Sequence, residues 1–182
     1  MNAAMPFGEL LDRWHEFYLM AGTAAVTLMG LLFVGLSVHL ESVVREDARH
    51  VRIVAMEAFM NFFFVLLLAL VMLVPDATAR PTGVELAFIG LARIGLGVRN
   101  LRTARGLEGH GFDRRSTTQR FVPALLGYAT LVVVGGILAR RGNADEALRL
   151  MVFVTGVLLA TATRSAWDLI MRVGEAKHRA GT

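Results

Sequence analysis

Apolar residues along the chain are gathered into five blocks that short polar or basic connectors separate. The blocks cover residues 17–40, 53–75, 84–101, 121–139 and 147–171. Each is close to the roughly 20 residues that a helix needs to cross a hydrocarbon layer of about 30 Å. No period-2 alternation of the kind found in membrane strands runs through them. The pattern predicts an all-α integral membrane protein, a bundle of five transmembrane helices in a single domain over residues 1–182.

The third block is the weakest of the five because Glu85 and Arg93 interrupt it. If it did not cross the membrane, the chain would have four spans and both ends on one side. The second block should stop at Pro75, since proline does not continue a helix comfortably. The stretch over residues 102–120, "RTARGLEGHGFDRRSTTQR", is interpreted as a loop with a helical turn near its end. Residues 1–20 are interpreted as an interfacial lead-in, with Trp14, Phe17 and Tyr18 at head-group level.

Composition strengthens the membrane interpretation. The chain is 55% hydrophobic and 19% charged, and its mean hydropathy is +0.55, so it has more apolar surface than one soluble core of 182 residues would bury. The absence of cysteine excludes disulfides, thiolate metal sites and a cysteine nucleophile. The arginines lie between apolar blocks, where they are expected to set topology and meet anionic lipids; no nucleic-acid binding is expected.

The basic residues also predict an orientation. With five spans, the side that holds the first and third connectors and the C-terminus carries more than twice as many Lys and Arg residues as the other side. Basic connectors stay in the cytoplasm, so the N-terminus is expected outside and the C-terminus in the cytoplasm. The expected location is the inner, or cytoplasmic, membrane of a bacterial cell.

Polar side chains inside the blocks form the first candidate site. This intramembrane polar cluster consists of Glu57, Asn61, Arg93, Arg164 and Asp168. A lone arginine at a helix centre costs at least about 2.5 kcal/mol on insertion scales, and pairing is the usual remedy. We expect Arg93 to face the bundle interior and pair with Glu57 or Asn61. We expect Arg164 to pair with Asp168 or to reach Glu57 as well. The glycines at positions 90, 95 and 97 should remove bulk beside Arg93 so that another helix comes close.

Two interpretations of this cluster remain open from the sequence: a structural ion pair that fixes helix packing, or a role in the passage of ions or protons. A second candidate site lies in the first block, where small and polar residues recur at spacings of three and four. This first-helix stripe consists of Thr23, Thr27, Gly30, Val34, Ser37 and Glu41. Such a stripe indicates close helix packing or a wet surface, and in a ring of protomers it would line a narrow pore.

No motif for catalysis or for a cofactor is found. The five histidines are scattered, without the spacing of a zinc site. No histidine lies where it could activate Ser37, so an enzyme is not expected. The leading hypothesis is a homo-oligomer that forms a small ion channel or transport pathway. The alternative is a non-catalytic accessory protein that binds another membrane protein through its helices.

The opening segment "RWHEFYLMAGTAAVTLMGLLFVGLSVHLESV" resembles a group of small uncharacterised bacterial polytopic membrane proteins. Members share a Trp-x-x-Phe lead-in, here Trp14 and Phe17, and an Ala/Gly/Thr-rich first span that ends in a segment like "GLLFVGLS". The resemblance implies a bacterial cytoplasmic membrane protein and carries no activity and no site residue with it.

Overall fold

Five α-helices account for most of the residues that the computed structural model describes, which are 5–38, 49–105, 114–140 and 143–180. The helices are α1 (Phe7–Val38), α2 (Arg49–Met72), α3 (Ala79–Arg105), α4 (Arg114–Ala139) and α5 (Ala144–Ala180). All five are long and apolar enough to cross a membrane, including α3, which is the least apolar of them. The chain is therefore a multi-pass helical membrane protein, and the prediction of five transmembrane helices is confirmed.

Several helices extend beyond the apolar blocks. α1 begins at Phe7, so the expected lead-in is its first part, and its 32 residues would span about 48 Å at about 1.5 Å per residue. The loop predicted over residues 102–120 is wrong at its start, because α3 continues to Arg105. The helical turn expected near its end is present, because α4 begins at Arg114. Residues 106–113 lie outside the described part. Hydropathy does not detect these extensions because the helices continue beyond the hydrocarbon layer, where their residues are polar.

The turn between α2 and α3 is well defined. α2 ends at Met72 rather than at Pro75, and the residue before a proline disfavours helical backbone angles. Asp76 takes a φ of 54°, a left-handed conformation that aspartate tolerates better than most residues. α3 then starts with a backbone hydrogen bond of 3.2 Å from Thr82 N to Thr78 O. Pro81 lies in the first turn of α3, where no intrahelical donor is lost.

The helices pack in a chain of neighbours. α3 packs mainly on α4, α4 on α5, α5 on α2, and α2 on α1. The closest approach is between α3 and α4, where a Cβ added to Gly135 would lie 2.5 Å from Gly83 O. Only residues without side chains permit this distance between two helix backbones.

α1 is the least buried of the five helices. Of the 18 most apolar residues in succession, only 22% are buried in α1, against 56% in α2. The outward face of α1 carries large apolar side chains such as Leu19, Leu31 and Phe33, beside small and polar ones. In a membrane this face meets lipid or another helix.

Candidate functional site

The buried polar site is built first from one face of α2. Glu57, Asn61 and Phe64 follow each other at spacings of four and three, so they lie one above another on that face. Glu57 is 4% exposed and Asn61 is fully buried. These two side chains point into the bundle and need partners there, because an unpaired polar group in an apolar interior costs several kcal/mol, roughly 2–7 depending on the reference.

Arg93 of α3 supplies the main partner. Its Nη2 donates to Glu57 Oε1 in a salt bridge and to Asn61 Oδ1 at 3.0 Å. The whole Arg93 residue is only 1% exposed, although it is the largest fully buried side chain of the described part. The prediction that Arg93 faces the interior and pairs with Glu57 or Asn61 is confirmed, and Arg93 contacts both residues.

Two aromatic rings enclose the guanidinium. Arg93 Cζ lies 5.0 Å from the ring centre of Tyr128 and 5.6 Å from that of Phe64. The two rings meet edge to face, with centres 5.8 Å apart. A cation within about 6 Å of an aromatic face is attracted by the electrons of the ring, more strongly when water is excluded. The rings therefore stabilise the buried charge as well as shielding it.

Tyr128 and Asn100 complete the network, and the sequence reasoning missed both. The Tyr128 hydroxyl donates to Asn61 Oδ1 at 3.0 Å, and Asn100 Nδ2 donates to Glu57 Oε2 at 3.2 Å. A signal for Asn100 was present, because it stands two helical turns after Arg93 and so shares its face of α3. For Tyr128 the signal was weaker: it is one of only two tyrosines in the chain and the one within the fourth block.

Two of the three glycines expected beside Arg93 serve as predicted. A Cβ on Gly97 would lie 2.9 Å from Leu125 Cδ2 and 3.3 Å from Arg93 Nη1. A Cβ on Gly90 would lie 2.7 Å from Val132 Cγ2, so both glycines let α3 approach α4. The prediction is wrong for Gly95, which is exposed and has no neighbour within 4 Å at its Cβ position.

The remaining members of the predicted cluster lie elsewhere. Arg164 is exposed on α5, and within the described residues it forms no hydrogen bond or ion pair with Asp168 or Glu57. The predicted pairing of Arg164 is therefore wrong. A long basic side chain near the end of a span can reach head-group water without a protein partner. Asp168, also on α5, is half-buried and is not part of the Glu57 network.

Comparisons with protein-family models, with curated proteins and with solved structures find no match for this chain.

The first-helix stripe lies on the outside of the protomer. Thr23, Thr27, Gly30, Val34 and Ser37 are all exposed, and Glu41 falls outside the described residues. The three hydroxyls each donate to a carbonyl of α1 itself, Thr23 to Leu19 O, Thr27 to Thr23 O and Ser37 to Phe33 O, all at 2.8 Å. A hydroxyl bonded in this way costs little in an apolar medium and still presents its oxygen outward.

The geometry of the two regions limits what each can do. The observed network of Glu57, Asn61, Arg93, Asn100 and Tyr128 is called the enclosed cluster. It is closed to solvent, since the side chains of Arg93 and Glu57 are 2% and 6% exposed. Its opposite charges balance, and only Arg93 Nε and Asn61 Nδ2 remain without a partner among its described atoms. No group of three or more His, Asp or Glu within the described residues is arranged to hold a metal ion. The cluster is thus built to join α2, α3 and α4.

Proposed function

We propose that this protein assembles from several copies in the bacterial cytoplasmic membrane, with the first-helix stripe of each copy facing a shared axis. The stripe then lines a narrow path for an ion or a small solute. The single observation that carries the proposal is the position of the stripe: its small and hydroxyl-bearing residues are exposed on the helix that is least buried in the protomer.

The enclosed cluster also favours a path between copies, because it does not offer a path within one copy. A path along this cluster is closed, because the Arg93 guanidinium lies between two rings and an acid. The structural interpretation of the cluster is therefore favoured over a role in passage. A path between copies needs no such opening.

The orientation belongs to this proposal as well. The N-terminus lies outside and the C-terminus in the cytoplasm, because the basic connectors concentrate on the cytoplasmic side. The same connectors contact anionic lipid head groups. The Ser37 end of the stripe then opens towards the cytoplasm.

A second function is favoured by the hydroxyl geometry. Because Thr23, Thr27 and Ser37 already bond their own helix, the stripe also suits a dry contact with a different membrane protein. In that case the chain is a non-catalytic accessory subunit.

Ion flux from liposomes tests the choice between the two. Purified protein is reconstituted and exposed to potassium, chloride and proton gradients, together with a Thr27→Leu variant. Thr163→Leu is the matched control, since Thr163 is also an exposed threonine within a span and belongs to α5 and not to the stripe. We expect flux through the unchanged protein for at least one ion, loss of that flux in Thr27→Leu, and no loss in Thr163→Leu.

Absence of flux for every gradient, from folded protein, would contradict the path and favour the accessory role. Equal loss of flux in both variants would contradict the assignment of the path to the stripe.

A further inference from the structure

A groove of about 640 Å³ opens on the surface where α1, α2 and α3 come together. Its wall is mostly apolar, with Phe33 and Leu36 from α1 and Met56 and Phe59 from α2. Ligand pockets in proteins typically measure roughly 300–1,000 Å³. The groove is therefore large enough for part of an amphiphilic molecule, and the enclosed cluster and the first-helix stripe do not account for it.

The groove has a direction with respect to the membrane. Along α2 its lining runs from Arg52, which directly precedes the apolar block over residues 53–75, to Phe59. At about 1.5 Å per residue, Phe59 lies roughly 10 Å deeper in the hydrocarbon layer than Arg52. Asn100, the other polar lining residue, is also close to the end of its apolar block, which covers residues 84–101. The polar end of the groove thus lies at the membrane boundary and the apolar end below it.

The charge at the boundary comes from Arg52. Its side chain is exposed, and within the described residues it forms no hydrogen bond or ion pair. No described residue therefore occupies its guanidinium donors, whose planar arrangement suits a phosphate group. Glu57, the acid of α2, does not line the groove. Its carboxylate is bonded to Arg93 and Asn100.

We propose that this groove is a binding site for an anionic phospholipid, with the phosphate group at Arg52 and one acyl chain along Phe33, Met56 and Phe59. A cation at the head-group level above an apolar furrow matches the layout of such a lipid in a bilayer. Basic pockets between membrane helices are known to bind lipid head groups. The site is distinct from the connectors, which attract lipid only at the surface, and it does not depend on the proposed path.

Short-range quenching of tryptophan by brominated acyl chains tests the site. Both natural tryptophans are removed by Trp14→Phe and Trp167→Phe, and Phe33→Trp places one reporter in the groove. The protein is reconstituted in phosphatidylcholine that contains either brominated phosphatidylglycerol or brominated phosphatidylcholine at equal mole fraction. We expect phosphatidylglycerol to quench at lower mole fraction than phosphatidylcholine.

The charge variants identify the residue that selects the lipid. Arg52→Gln should reduce the preference for phosphatidylglycerol about fivefold, the factor that corresponds to about 1 kcal/mol for one basic side chain near anionic lipid. Arg80→Gln is the matched control, because Arg80 is exposed at the opposite end of α3, and it should leave the preference unchanged. Equal quenching by both lipids, an equal effect of both variants, or a reporter shielded from both lipids by a second copy would each overturn the proposal.

Discussion

The enclosed cluster and the first-helix stripe both place polar side chains inside membrane-spanning helices, but they satisfy them in opposite ways. In the cluster, Arg93, Asn61 and Tyr128 bond each other across three different helices. In the stripe, Thr23, Thr27 and Ser37 each bond their own helix. The first arrangement fixes how helices pack within the protomer. The second leaves a surface that is complete in one copy and still free to meet another.

The glycines of the two regions repeat this difference. Gly83 and Gly135 lie where α3 and α4 approach so closely that a Cβ on either would be 2.5 Å from backbone atoms of the other helix. Gly30 of the stripe has no atom within 4 Å of its Cβ position. The small residues between α3 and α4 therefore permit a close contact within the bundle. Gly30 of the stripe leaves open space on the outside of α1.

Removal of one partner of the buried ion pair should have the largest effect. Glu57→Leu leaves the charge of Arg93 buried without its carboxylate and should lower the free energy of unfolding by about 3–5 kcal/mol. The double variant Glu57→Leu/Arg93→Met removes both charges and should recover most of that loss. The measurement is an unfolding titration in mixed micelles of mild detergent and SDS.

The single variant alone does not separate charge from packing, so the double variant is the control. If it unfolds as easily as Glu57→Leu, the loss comes from packing at position 57 and the ion pair is not what joins α2 to α3.

The close contact of α3 and α4 should come next in size. Gly135→Ala forces a methyl group against Gly83 O and Ala87 N, at 2.5 Å and 2.6 Å before any shift. Overpacking of this kind costs about 1–3 kcal/mol. The adjacent Gly136→Ala is the control, because nothing lies within 4 Å of its Cβ position, and it should be neutral or slightly stabilising. Similar losses in the unfolding titration for both variants would show that helix propensity, and not contact, governs this segment.

The sequence predicts those features of the fold that are properties of a single helix, such as its length and the depth of its polar residues. Apolar length identifies all five spans, and similar depth is enough to bring Glu57 and Arg93 together. Tyr128 is missed because its bond to Asn61 depends on how α4 is rotated against α2, which hydropathy does not record. Arg164 is mispaired because a side chain near the end of a span can reach water. The helix ends are misplaced because polar helical turns beyond the membrane carry no apolar signal.

A smaller effect should separate the two tyrosines. Tyr128→Phe removes the hydrogen bond to Asn61 Oδ1, and such bonds in membrane proteins contribute on average about 0.6 kcal/mol and at most about 1.7. Tyr18→Phe is the matched control: the Tyr18 hydroxyl is also buried, but it has no hydrogen-bond partner in the described part of the chain. The control should unfold at the same SDS fraction as the unchanged protein or a higher one. A larger loss in Tyr18→Phe than in Tyr128→Phe would contradict the network drawn around Asn61.

The smallest effect on the protomer is expected in the stripe, and it should be accompanied by the largest effect on assembly. Gly30→Leu adds a side chain into open space on the outside of α1, so the free energy of unfolding should change by no more than about 0.5 kcal/mol. The same side chain would separate neighbouring copies that meet along the stripe, and light scattering in mild detergent should then report a smaller particle. Gly156→Leu is the matched control, since Gly156 is also exposed within a span and also has nothing within 4 Å of its Cβ position.

If Gly156→Leu dissociates the particle and Gly30→Leu does not, copies meet through α5 and the stripe faces lipid. If neither changes a particle of several copies, the contact between copies involves neither face. Loss of assembly in Gly30→Leu alone, with the protomer intact, is the outcome that distinguishes a surface for another copy from a surface for lipid.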